Sequence, residues 1–293
     1  MRNIIVVTGG AGFVGSNLIE RLISFKKYKI VSIDNYSSGN KRNHIKSSLV
    51  KYIQGNTWDI DKICKNFKKK IIAVFHFGEF ARIHQSFIKT NDCFNSNIIG
   101  TQKVISFCDR YKIKIIYSAT SASLGNKGLD QNLSPYAFSK ANNLKLLLNM
   151  NKWFKLKYEI LYFYNVYGNR HIRTGGMATV IGIFENFYLK RKRIPVVKPG
   201  SQSRKFTHID DTVNGCIFAW RKNKNREYAL LSTKSYSIKD VARMFSKKIT
   251  YLPRRLGERF ESANPKDIKD RKIYLINCKK SLKKYILDFK KGM

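Results

Sequence analysis

Acidic residues are scarce in this chain: 19 Asp and Glu stand against 57 Lys and Arg, a formal charge of +38. Such an excess marks a nucleic-acid binder when it gathers in one tail or stripe, because basic side chains make the phosphate contacts. Here the lysines run through the whole sequence, against a background also rich in Asn and Ile. That is the pattern of a compositional bias, so no specific nucleic-acid partner is expected, although the field attracts anionic nucleotides. Cysteine pairs are missing as well. Cys64, Cys93, Cys108, Cys216 and Cys278 never form a CxxC, which argues against a zinc site or a disulfide framework. No metal is expected, and a reducing cytoplasm is the natural compartment. No apolar run approaches the length of a membrane span. Met1-Arg2-Asn3 leads straight into an apolar stretch too short for a signal peptide, so a soluble cytoplasmic protein without a membrane partner is expected. Internal repeats and low-complexity linkers are lacking too, and 293 residues allow one large domain or a domain with a smaller appendage.

What is present begins at the N-terminus. Val7-Thr8-Gly9-Gly10-Ala11-Gly12-Phe13-Val14-Gly15 sets three spaced glycines between the apolar run Ile4 to Val7 and a segment with Leu18, Ile19, Leu22 and Ile23 at helical spacing. A turn of this kind lets the backbone approach a pyrophosphate, and the helix start offers it free N–H groups and partial positive charge. A second strand, Lys29 to Ile33, ends in Asp34, 19 residues past Gly15. A carboxylate there suits the ribose hydroxyls of an adenosine and favours NAD over NADP.

Further apolar runs at Ile71 to Phe77, Lys114 to Tyr117 and Ile160 to Phe163 alternate with helical patterns, the longest at Ile98 to Cys108 and Ala137 to Trp153. The alternation predicts an α/β fold, a Rossmann-type doubly wound parallel sheet with both faces covered. Past about Asn165 the pattern reads as loops, short helices and irregular strands, a smaller C-terminal α/β substrate-binding region. The expected division is residues 1–165, binding NAD and carrying the catalytic groups, and 166–293, holding the substrate.

Tyr136-Ala137-Phe138-Ser139-Lys140 places a phenol and an ammonium one helical turn apart. A free tyrosine has a pKa near 10, so a general base at neutral pH calls for a drop of roughly 3 units, or about 4 kcal/mol. Lys140 and the positive ring of an oxidised nicotinamide would supply that bias. Spacing alone does not decide, because Tyr188 to Lys192 matches it too. Context favours Tyr136, which follows a strand and the polar segment Ser118-Ala119-Thr120-Ser121, where ligands of such a sheet bind.

On these pieces the chain resembles the extended short-chain dehydrogenase/reductases of the NAD-dependent sugar-nucleotide epimerase and dehydratase family. Gly9 to Gly15 matches the family's glycine signature, Tyr136 to Lys140 its catalytic motif and Thr120 its Ser/Thr position. The resemblance implies Thr120, Tyr136 and Lys140 as catalytic residues. It implies NAD contacts from Gly9, Gly12, Phe13, Val14, Gly15, Asp34, Asn35, Asn56, Phe77 and Lys140. Tyr164 to Gly168, Gly200 to Asp211 and Arg255 to Glu258 resemble its nucleotide-sugar loops, implying substrate contacts from Asn165, Arg204 and Arg255. Arginine suits a diphosphate because its planar fork donates two hydrogen bonds to one phosphate. A homodimer through the helices Ile98 to Cys108 and Ala137 to Trp153 is implied as well.

Some positions depart from the family pattern. Tyr162 stands where an Arg is usual, and Asn56 replaces an Asp that meets the adenine. Gly78-Glu79 occupies a place where small residues are common; Glu79 could form a salt bridge with Arg82 or take part in catalysis. The relatives that eliminate water carry Asp-Glu after the catalytic Thr, whereas this chain has Ser121-Ala122. The resemblance then implies 4-epimerisation of a UDP-sugar through a 4-keto intermediate, the sugar being a hexose, an N-acetylhexosamine or a uronic acid. Other sugar-nucleotide chemistry within the family, and a non-catalytic NAD-binding protein with a basic RNA-binding surface, remain as alternatives.

Overall fold

A computed structural model describes residues 2–292, so Met1 and Met293 lie outside the described residues. Its centre is a sheet of eight parallel strands: β1 (Ile4–Thr8), β2 (Lys29–Asp34), β3 (Val50–Gln54), β4 (Ile71–His76), β5 (Lys114–Thr120), β6 (Tyr158–Phe163), β7 (Glu227–Leu231) and β8 (Ile273–Asn277). Their spatial order is β8-β7-β6-β5-β4-β1-β2-β3. The helices are α1 (Phe13–Ile23), α2 (Ile83–Ile88), α3 (Thr101–Arg110), α4 (Pro135–Phe154), α5 (Val180–Leu189), α6 (Ile209–Lys222), α7 (Ile238–Phe245) and α8 (Leu282–Lys291), among shorter turns.

The strands read as continuous apolar runs because both faces of the sheet are covered. Along β1 the pleat sends Ile4 and Val6 to one face, with Val104, Phe107, Leu144 and Leu147 of α3 and α4. It sends Ile5 and Val7 to the other, with Leu18, Ile19 and Leu22 of α1 and Val213 and Ile217 of α6. A third core, built from Tyr167, Phe184, Val196, Phe206, Val241, Phe245 and Ile286, belongs to the chain after β6.

Two sequence expectations are revised. The pattern does not dissolve past Asn165: α6 feeds β7, and β7 and β8 extend the same sheet beyond β6. The chain after β6 therefore departs from the sheet and returns to it. The fifth strand also runs three residues beyond Tyr117, to Thr120, and is buried throughout. The apolar side of Ile98 to Cys108 is turned inward, with Val104, Ile105, Phe107 and Cys108 in the sheet core.

One buried ion pair fastens the late strands to the early ones. Lys114 Nζ at the start of β5 lies 2.6 Å from Glu159 Oε1 on β6, and it donates to Asn223 Oδ1 at 2.7 Å. Glu159 also accepts the backbone N–H groups of Lys224, Asn225 and Arg226. The carboxylate thus seats the turn that leads from α6 into β7. Burial lowers the pKa of Lys114, with Glu159 opposing the change. Among the described residues, no helix is long and apolar enough to cross a membrane. Glu159→Ala strands a buried ammonium and three main-chain donors, and is expected to lower stability by about 3 kcal/mol or more. Urea unfolding of the variant against the parent checks this.

Candidate active site

The strand order reverses beside β1, with β2 on one side and β4 on the other. Connections leave the two strand ends in opposite directions there, which opens a crevice at the carboxyl edge of the sheet. Gly9, at φ +70°, begins the turn out of β1, and a Cβ on it would lie 2.8 Å from the Phe77–Gly78 backbone. Thr8 Oγ1 accepts the N–H groups of Phe77 and Gly78, at 3.1 and 3.0 Å. A cavity of about 680 Å³ lies over this junction and continues toward the C-terminal loops.

The glycine turn is shaped for an anion. The helix α1 starts at Gly12 with no side chain capping it and no acid in its first turn, so its first N–H groups and partial positive charge are left for a ligand. A Cβ on Gly15 would fall 2.2 Å from Gly9 O, which fixes glycine there. Gly9, Gly12, Phe13, Val14 and Gly15 line the cavity, as do Asp34, Asn35 and Phe77 further along. Asp34 has a second duty: Oδ2 accepts from Ala11 N at 2.9 Å and Oδ1 from Tyr36 N at 2.8 Å, which ties the glycine turn to β2. Burial raises its pKa against the pull of those N–H bonds. Asn56 does not line the cavity, although Gly55 and Thr57 do; its side-chain carbonyl accepts from Asn35 Nδ2 at 2.9 Å.

The sequence Ser134-Pro135 starts α4. Ser134 Oγ accepts from Ala137 N at 3.1 Å, and proline occupies the first turn where its missing N–H costs nothing. That start places Tyr136 and Lys140 on the cavity wall beside Thr120 at the end of β5. Burial pushes the Tyr136 phenol up to about 12, with a hydrogen bond from Thr120 opposing, Glu79 adding to the rise and Arg82 countering it. Lys140 is buried, and its ammonium donates to Ser118 O and to Glu79 Oε2, the latter at 2.5 Å. Burial lowers its pKa and Glu79 holds it up. The salt bridge open to Glu79 is therefore made with Lys140. Arg82 bonds instead to Met177 O at 2.9 Å and to Ala81 O at 2.7 Å.

The far end of the cavity gathers the nucleotide-sugar candidates. Asn165, at φ +21°, donates to Lys205 O at 3.0 Å. Arg204 reaches Glu258 Oε1 at 3.2 Å and Arg259 O at 2.5 Å, and burial brings it down to about 10. Arg255 is exposed at the cavity wall. Ser262, also lining it, accepts from Lys205 N at 2.8 Å. The sequence did not reveal the pairing of Arg204 with Glu258, which lie 54 residues apart. Tyr162 is not at this site: it is fully buried in the sheet and donates to Glu227 Oε2 at 2.6 Å, with Arg271 beside it.

Residues 5–230 match the NAD dependent epimerase/dehydratase family. The chain is 28% identical over 246 residues to a dTDP-D-glucose 4,6-dehydratase of Dictyostelium discoideum, covering 75% of this chain and 56% of that protein. The structure superposes on a UDP-N-acetylglucosamine 4-epimerase from Methanobrevibacter ruminantium, in complex with UDP-N-acetylmuramic acid, with TM-score 0.83 and 26% identity over 98% of this chain and 96% of the other. It has the fold of a UDP-glucose 4-epimerase from Thermotoga maritima, at TM-score 0.86 and 23% identity over 99% of each chain. Gly15→Ala, which drives a methyl into Gly9 O, is expected to weaken NAD binding at least tenfold while preserving the far-ultraviolet circular dichroism, as titration calorimetry would measure.

Proposed function

Because the chain belongs to the NAD-dependent epimerase/dehydratase family, we propose that it interconverts the C4 epimers of a UDP-sugar through a transient 4-keto sugar. The observation that carries this reading is the chemistry around Thr120. Next to it stand Ser121 and Ala122, buried and without a carboxyl group, so this position supplies no acid and base to expel water from the sugar. A 4-epimerase needs none there.

The glycine turn fits the family's cofactor, with open backbone space over an uncapped helix start and the Asp34 carboxylate at the end of β2. NAD held there would supply a reversible hydride acceptor for C4 of the sugar. The protein's share begins at Tyr136, whose phenolate oxygen would take the C4 hydroxyl proton and later return it. Thr120 donates a hydrogen bond that favours the phenolate. Lys140 orients the cofactor ribose, and its direct help to Tyr136 is reduced by Glu79, which already holds the ammonium at 2.5 Å. For the hydride to return to the opposite face, the keto-sugar must turn in place while its diphosphate stays held. Arg204 and Arg255, with Asn165, form the candidate anchor. On this reading residues 1–165 bind the cofactor and carry the catalytic groups, and 166–293 hold mainly the nucleotide-sugar.

Proton NMR of the protein with NAD and UDP-glucose, UDP-N-acetylglucosamine or UDP-glucuronate in separate tubes tests the proposal. The anomeric signal of the 4-epimer should grow in one of them with no net NADH, and Tyr136→Phe should lower that rate by about a thousandfold with NAD still bound. Unsaturated or carbon-depleted product would replace the epimerase reading with elimination or decarboxylation.

We also propose a homodimer. With the apolar side of α3 facing the sheet, the exposed apolar groups on this flank are Ile99 and Phe138, at 47% and 43% exposure, with Trp153 and Phe154 at the end of α4. Light scattering is expected to give twice the chain mass, and Phe138→Lys to give the single mass.

A further inference from the structure

The carboxylate of Glu79 lies just past β4, only 2% exposed, and all its near partners are donors. Oε2 takes the Lys140 ammonium at 2.5 Å. Oε1 accepts from Thr101 Oγ1 at 3.0 Å, Tyr117 OH at 3.1 Å and Asn143 Nδ2 at 3.1 Å. These partners come from α3, β5 and α4, so the carboxylate is fixed from three sides. Lys140 in turn is set over the Tyr117 ring, 4.7 Å from its centroid, and donates to Ser118 O.

The hydrogen bonds behind Glu79 run in one direction. Thr101 gives its proton to Glu79 and so must accept from His76 Nε2, 2.9 Å away. Burial brings His76 down to about 4, so it is neutral at pH 7. With its proton on Nε2, its Nδ1 must accept from Thr8 Oγ1 at 2.8 Å. Thr8 is the residue that receives Phe77 N and Gly78 N at the strand junction. An ordered chain thus links the start of the glycine turn to the ammonium of Lys140.

We infer that Glu79 is a positioning residue that pins Lys140 and cancels its charge, and thereby sets the pH at which Tyr136 ionises. The inference rests on Tyr136 being the base of the proposed reaction. The groups that bear on that phenol are Thr120, which bonds to it, Glu79 past β4, Arg82 at the start of α2, Cys93 and Tyr117 on β5, while Lys140, four residues along the same helix, is held by Glu79. Of the charged ones, Glu79 opposes the phenolate and Arg82 favours it. Arg82 has main-chain carbonyls for its bonds and no carboxylate within ion-pair reach among the described residues. The phenolate's cationic support is then Arg82, joined by an oxidised nicotinamide when one is bound, with Lys140 released to it only when substitution removes the carboxylate of Glu79.

Removing the negative charge lowers the phenol's pKa, so Tyr136 ionises at lower pH and the acid limb of a base-dependent rate moves the same way. The test is the tyrosinate absorbance of the NAD-loaded protein against pH, with the trace of the Tyr136→Phe variant subtracted. Glu79→Gln is expected to raise the phenolate fraction about tenfold at a given pH below its midpoint. A midpoint that stays or rises overturns the inference. If Glu79→Gln does not fold because it strands the ammonium, the double variant Glu79→Gln with Lys140→Met removes both charges. It is expected to titrate with the parent; an upward move would show that the charge of Lys140 reached the phenol all along, and would also overturn the inference. The titration uses no substrate, so a wrong sugar or reaction class leaves it readable. In turnover with the identified sugar, Glu79→Gln should shift the acid limb of kcat to lower pH by about one unit, with KM little changed.

Discussion

Two strand ends, those of β1 and β4, lie side by side, with Gly9 against the Phe77–Gly78 backbone, and the rest of the site depends on that closeness. A side chain at Gly9 would force the turns apart and pull the glycine turn away from the cavity floor. Thr8 locks the approach by receiving two N–H groups that would otherwise be orphaned at the buried end of β4. Because the next residue but one after Phe77 is Glu79, the same junction fixes where a carboxylate meets Lys140. The dinucleotide cradle and the ammonium of the catalytic motif are thus registered to each other through the backbone before any ligand arrives.

The electrostatics of the cavity follow from how its charges are distributed between partners. Arg204 and Lys140 have acids at hand, Glu258 and Glu79, whereas Arg255 is exposed and Arg82 rests on carbonyls. Burial, with Glu79 adding to it, holds the Tyr136 phenol up to about 12 in the free protein, which disfavours the phenolate near neutral pH. On the proposed reaction, the positive charge of an oxidised cofactor would shift that balance toward the phenolate.

Local signals were readable where physics is local. The strand-turn-helix of Ile4 to Ile23, the run of buried strands and the body of α4 from Ala137 to Trp153 each depend on neighbours within a few positions. The cavity also collects nearly all the residues singled out from motifs, Asn56 being the one turned away. What could not be read depends on distance along the chain. Glu79 and Lys140 are 61 residues apart, and nothing in either segment names the other. The late strands β7 and β8 were missed although Tyr228 to Leu231 and Ile273 to Ile276 are apolar runs, because each joins the sheet only after a long excursion along the chain, β8 at its edge. Which way the apolar side of the Ile98 to Cys108 helix faces has the same origin, since periodicity identifies an apolar side without saying what covers it.

A few of the acids that this lysine-rich chain keeps are buried. Asp34, Glu159, Glu185 and Glu227 are buried, and the carboxylate of Glu79 is nearly so. Each collects donors from distant segments: Asp34 the glycine turn, Glu159 the turn into β7, Glu185 the side chains of His171, Arg173 and Tyr285, and Glu227 those of Tyr162 and Arg271. At such points a lysine would bring a second cation into a nest of donors, with neither an acceptor nor water to receive it. Composition can drift basic across a solvated surface at little cost, but it halts at these few carboxylates. In a protein built this way, the buried acids form a map of the joints, and a survey of acid-to-lysine changes would trace the architecture from the positions that refuse them.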